Sequence, residues 1–113
     1  MAWIDARVPV RFGAVGDAVA GDALLLEGDA VAPPEFAAAR FVAASAEHAP
    51  GCACCVARSA AAVALNKLFQ ARARGTVPFF RRVLAVTASA EGEMEVWAAV
   101  RGDPLVSGRF RVE

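Results

Sequence analysis

Apolar and polar positions fall into short alternating or clustered units along this chain. Val8-Pro9-Val10-Arg11-Phe12 is β-branched and aromatic and runs into Gly13 and Gly16, which predicts a strand ending in a loop. Pro9 stands near the start of that strand, where a missing donor matters least. Leu24-Leu25-Leu26 fits a helical turn and a buried strand equally, because a short apolar run does not separate the two, and Pro33-Pro34 breaks whatever precedes it. Glu35 to Ala39 is expected to make one helical turn, and Arg40 to Ser45 a strand that delivers the chain to a cysteine cluster.

The second half is more regular. From Val56 to Arg74 no proline or glycine intervenes, and Ala61, Leu65, Leu68, Phe69 and Arg72 recur at helical spacing. Gly75 is a natural stop, with Arg72 and Arg74 well placed against the dipole of the last turn. Arg81 to Thr87 reads as a buried strand, and Ser89 followed by Glu91 and Glu93 as the cap and acidic first turn of a helix running through Val100. Asp103-Pro104 predicts a second cap with a first-turn proline, and Phe110-Arg111-Val112 a closing strand. Alternating strand and helix predicts a layered α/β fold, a mostly parallel sheet flanked by helices and joined by right-handed crossovers.

Length makes this one domain, residues 1–113, able to bury roughly two thirds of its unfolded surface. Twelve basic residues balance twelve acidic ones and no basic stripe is interleaved with aromatics, which argues against nucleic acid as a partner. Charges in Met-Ala-Trp-Ile-Asp-Ala-Arg stand where a signal peptide needs an apolar run, and no stretch reaches membrane-spanning length, so a cytoplasmic protein without membrane contact is expected. Lys67 is the sole lysine, so any lysine-dependent chemistry has to use it.

The chemistry concentrates in His48-Ala-Pro-Gly51-Cys52-Ala-Cys54-Cys55. Three cysteines within four positions cannot build a disulfide framework, because near neighbours rarely reach bridging geometry and an odd thiol is left over. Soft thiolates do suit zinc, and Cys52, Cys54, Cys55 and His48 together supply the four donors of a tetrahedron, with Glu47 as an alternative oxygen donor. Copper(I) or cobalt would fit the same donors, since geometry rather than residue type decides selectivity. A helix beginning directly after Cys55 would lower the thiol pKa through its N-terminal partial charge. A Cys–His nucleophile pair lacks an orienting acid at a readable spacing, and the Asp and Glu side chains read as solvated surface charges.

Gly16-Asp-Ala-Val-Ala-Gly21 has the glycine spacing of a phosphate-binding loop, but Asp22 and Ala23 follow it where a lysine and a hydroxyl are required. An acid there repels phosphate, and alanine cannot ligate magnesium.

In this order the pieces resemble the N-terminal, P-loop NTPase-like domain of the CobW-type metallochaperone GTPases, a family with a Gly-Cys-x-Cys-Cys metal motif. Gly51-Cys52-Ala53-Cys54-Cys55 matches that motif outright, and Arg58 with the helix after it is similar to the family's following helix. Arg82-Val83-Leu84-Ala85-Val86-Thr87 resembles the family's strand ending in Glu-Thr-Thr-Gly, and Asp103-Pro104-Leu105 through Glu113 its Asp-Pro helix and next strand. Val8-Pro9-Val10 resembles its opening strand, and Gly21-Asp22-Ala23-Leu24-Leu25 stands at its Gly-Lys-Thr-Thr-Leu-Leu. The departures fall on nucleotide chemistry, with Val86 in place of the strand glutamate, and the family's base-recognition strand and C-terminal domain would begin about where Glu113 stands.

The resemblance implies a truncated, degenerate, GTPase-inactive relative with no enzyme activity and no bound nucleotide, which binds zinc or a similar soft divalent metal for storage, sensing or delivery. Two other classes remain open. One is a structural or regulatory partner, pairing with itself as a homo-oligomer or with a full-length CobW-like GTPase, in which the metal only staples the loop. The other is an enzyme that keeps nucleotide binding by using Arg11 or Arg7 in place of the lysine.

Overall fold

The computed structural model describes residues 5–43 and 59–113. Strands β1 (Val8–Phe12), β2 (Asp22–Glu27), β3 (Ala37–Phe41), β4 (Arg82–Val86) and β5 (Phe110–Val112) form one sheet in the order β3-β2-β4-β1-β5. Every pairing is parallel. Helix α1 (Ala60–Arg74) lies between β3 and β4 in the chain, while α2 (Ala90–Gly102) and the short α3 (Pro104–Ser107) join β4 to β5. Between β1 and β2 the chain makes a single 3-10 turn, Val15–Asp17.

The leucine triad is therefore strand, not helix. β2 is buried along its whole length, which is what a near-continuous apolar run in a central parallel strand requires. Its alternate side chains divide between two layers. Ala23 and Leu25 point to the helices with Val83, Ala85, Leu65, Leu68, Val96 and Val100, whereas Leu24, Leu26 and Leu84 point to the opposite face.

That opposite face is covered by loops. Val15 and Ala18 from the β1–β2 connection, and Ala30, Ala32 and Phe36 from the β2–β3 connection, pack on Leu24, Leu26 and Leu84. Strand order gives the reason. The steps from β3 to β4 and from β4 to β5 cross the sheet in one direction, and those from β1 to β2 and from β2 to β3 in the other. One handedness of crossover then puts the described helices on one face and both helix-free connections on the other.

Expected boundaries are corrected: the strand read over Arg40 to Ser45 ends at Phe41, and Val42 and Ala43 are not strand. Ala37 to Ala39, read as part of a helical turn, belongs to β3, and the turn lies earlier, where Phe36 N–H donates to the Pro33 carbonyl at 3.2 Å. Alanine favours helix by itself, but five residues in register with β2, from Ala23↔Ala37 to Glu27↔Phe41, and the burial of Phe41 outweigh that preference.

Candidate functional site

Cys52, Cys54, Cys55 and His48, together with Glu47, lie outside the described residues. What the structure fixes is the two ends of the segment that carries them. The chain passes β3 and the described residues Val42 and Ala43 at the carboxyl edge of the sheet, and is described again from Ser59, which caps α1. In open parallel α/β sheets the carboxyl edge is where ligands gather.

The start of α1 is set by Ser59, not by Cys55. Ser59 is extended, its Oγ accepts the Ala62 N–H at 3.1 Å, and the first helical residue is Ala60. The Ala61 N–H donates to Glu95 Oε2 of α2 at 2.9 Å. The positive end of the helix thus meets a serine oxygen and a carboxylate. Beside this end, Phe41, Val42, Ala60, Val63 and Ala64 line a groove of ≈ 370 Å³ whose cations are Arg40 and Lys67. Arg40 is tied back to the loop, donating to the carbonyls of Gly28 at 2.7 Å and Ala30 at 2.5 Å.

The glycine segment does not form a phosphate cradle followed by a helix. Gly21 has φ 93°, a left-handed conformation that suits glycine, and the next residues, Asp22 to Leu25, are strand β2. The residues aligned with Gly-Lys-Thr-Thr-Leu-Leu thus belong to a turn and a buried strand. In the loop after β1, Asp17 Oδ2 accepts the Ala14 N–H at 2.9 Å, so a carboxylate already occupies an amide there. Arg11 is held by the Asp17 carbonyl at 3.0 Å and by Asp22 at 3.5 Å, and Arg7 by the Asp5 carboxylate at 2.8 Å. Both arginines considered as lysine substitutes are thus engaged with the protein's own oxygens. Val86, at the end of β4, packs against the loop-side core.

Two acids read as solvated are buried. Asp22 is 4% exposed and Glu27 8%. Asp22 accepts from Arg82 Nε at 2.8 Å and from the Val19 N–H at 3.0 Å. Burial pushes its pKa up, but the Arg82 and Val19 hydrogen bonds, with the charges of Arg82 and Arg11, outweigh it and leave the carboxyl below its ordinary value. Glu27, at the carboxyl end of β2, crosses to the start of α2 and accepts from the Ala88 N–H at 2.6 Å, the Ser89 N–H at 3.0 Å and the Ser89 hydroxyl at 2.6 Å. Here too burial raises the pKa and the hydrogen bonds more than reverse it. Three donors on one carboxylate make Glu27 a clamp between sheet and helix, with little capacity left for a ligand. The signal in the sequence was the flanking of an apolar triad by Asp22 and Glu27, the two ends of a buried strand.

Among the described residues no group of three or more His, Cys, Asp or Glu side chains is arranged to hold a metal ion, and no helix is long and apolar enough to cross a membrane. Comparison with known proteins returns no match to any family model, curated protein or solved structure.

Proposed function

We propose that this protein is a non-catalytic metal-binding protein that holds zinc or another soft divalent ion through Cys52, Cys54 and Cys55, with His48 as the fourth donor. Its role on this reading is metal storage, sensing or delivery, as a degenerate, P-loop NTPase-like relative of the CobW-type metallochaperone GTPases. The observation that carries the reading is the Gly-Cys-Ala-Cys-Cys run at residues 51–55, in the connection between the carboxyl end of β3 and the cap of α1. Three thiols so close in sequence reach one ion without long-range folding, and a glycine beside them lets the backbone turn around it.

The described loops support the loss of nucleotide chemistry. Asp17 places a carboxylate on an amide of the turn after β1, and Asp22 begins a buried strand where the family's lysine would stand. Negative charge at both positions opposes a triphosphate. The ligands must be deprotonated, so metal uptake releases protons and weakens as the pH falls.

Native mass spectrometry of protein purified without added metal tests this, beside a variant carrying Cys52→Ser, Cys54→Ser and Cys55→Ser. A bound ion in the parent that the triple variant loses is the expected result. If neither mass carries an ion even after zinc is added, the reading fails.

A further inference from the structure

At the outer edge of β5, remote in sequence from the cysteines, the fold gathers arginines around a pocket. Arg7, Val100, Arg101, Ser107, Arg111 and Val112 line a cavity of ≈ 340 Å³, with three guanidinium groups and no carboxylate among them. Arg7 precedes β1, Arg101 stands in the last turn of α2, and Arg111 is the middle residue of β5. Three separate stretches of chain thus converge on one basic cavity.

The three arginines are held differently. Arg101 lies 4.4 Å over the Trp97 ring, which orients its plane and leaves its N–H edge available. Arg7 is paired with Asp5, which accepts from Nε at 2.9 Å and from Nη2 at 2.8 Å. Asp5 also lies 3.6 Å from Arg111 Nε, an ion-pair distance too long for a hydrogen bond, and that buried Nε has no hydrogen-bond partner. That Nε is shielded from solvent, so an oxyanion in the pocket would meet the remaining guanidinium edge of Arg111, whose side chain is 37% exposed.

We propose that this pocket is a binding site for a phosphate-class oxyanion, held by Arg101 and Arg111, while Arg7, whose N–H groups are taken by Asp5 and the Ser107 carbonyl, supplies positive charge at its wall. Guanidinium forks match the oxygens of a tetrahedral dianion, and the Asp5 carboxylate on two of these arginines is an internal model of such a contact. The carboxyl end of α2 brings partial negative charge to the same region, so the attraction comes from the arginines and is sensitive to salt. The site does not depend on the metal reading, and the triple cysteine-to-serine variant is expected to bind the anion as the parent does.

The test is thermal unfolding of the full chain at neutral pH with inorganic phosphate, sulfate, or potassium chloride at matched ionic strength. Phosphate and sulfate are expected to raise Tm along a saturating curve, and chloride is not. Arg101→Gln, at an exposed position, and Arg111→Gln should each weaken phosphate binding by about tenfold, the loss of roughly one charge-assisted hydrogen bond. Asp5→Asn removes the competing carboxylate and should tighten it. A rise that chloride reproduces, a linear rise without saturation as from salt exclusion, or unchanged binding in Arg101→Gln overturns the proposal.

Discussion

At the residue scale, the carboxylate of Glu27 couples sheet to helix, and Gly92 is what admits it. A Cβ built on Gly92 would stand 1.9 Å from Glu27 Oε1, so any larger residue in the first turn of α2 displaces a carboxylate that three donors hold in place. Gly92→Ala should destabilise the protein by about 1–3 kcal/mol, the usual cost of overpacking. In a Glu27→Ala background the same substitution meets open space, so the double variant should fall short of the sum of the singles by more than about 0.5 kcal/mol. Urea denaturation of the four proteins measures this coupling, and strict additivity would show that the carboxylate moves aside at no cost. Neither residue announces this pairing in the sequence, where Glu27 and Gly92 lie far apart.

At the element scale, serine caps begin both long helices, but they are not equivalent. Ser59 Oγ accepts from Ala62 N–H, whereas Ser89 Oγ accepts from Gly92 N–H while donating to Glu27. Ser59→Ala should cost about 1 kcal/mol, the ordinary value of a cap. Ser89→Ala also leaves a buried carboxylate short of a donor, and should cost roughly 1–3 kcal/mol more. Denaturant midpoints rank the two, and equal losses would argue that Glu27 is indifferent to the hydroxyl. The cap at Ser89, the acidic first turn after it and the Asp103-Pro104 start of α3 were all legible, because these signals depend on residues within one turn. The helical turn expected at Glu35–Ala39 failed for the complementary reason: alanine's local preference carries no information about the β2 ladder that β3 joins.

At the scale of the whole molecule, the depressed pKa values of Asp5, Asp22 and Glu27 among the described residues contribute to the response to acid. The hydrogen bond and charge of Arg7 hold Asp5 at about 2, against an ordinary 3.8, and Asp22 and Glu27 also lie below their ordinary values. A carboxyl that is more acidic in the folded state adds stability in full above its unfolded pKa, and that stability disappears as the pH drops through the folded value. The urea midpoint is therefore expected to change little from pH 7 down to about 5 and to fall progressively below roughly pH 4. Asp22→Asn should flatten that acid limb while lowering stability at neutral pH, since Arg82 then loses its charged partner. An unaltered acid limb in this variant would mean that other groups govern it.

The sequence by itself determined the elements whose causes are local: β1, the body and stop of α1, β4, α2 with its cap, α3 with its proline, and β5. The candidate metal donors, Cys52, Cys54, Cys55 and His48, rest on residue type and spacing alone and lie outside the described residues. Tertiary structure decided the rest. It resolved Leu24-Leu25-Leu26 as strand, because only neighbours on both sides and both faces distinguish a buried strand from a buried turn. It turned Asp22 and Glu27 from presumed surface charges into buried acceptors and converted a glycine-spaced loop into a turn leading to β2. It also assembled Arg7, Arg101 and Arg111 around one cavity. Each of these depends on which strand lies beside which, and a strand order of β3-β2-β4-β1-β5 is a fact of long-range pairing that no window of sequence contains.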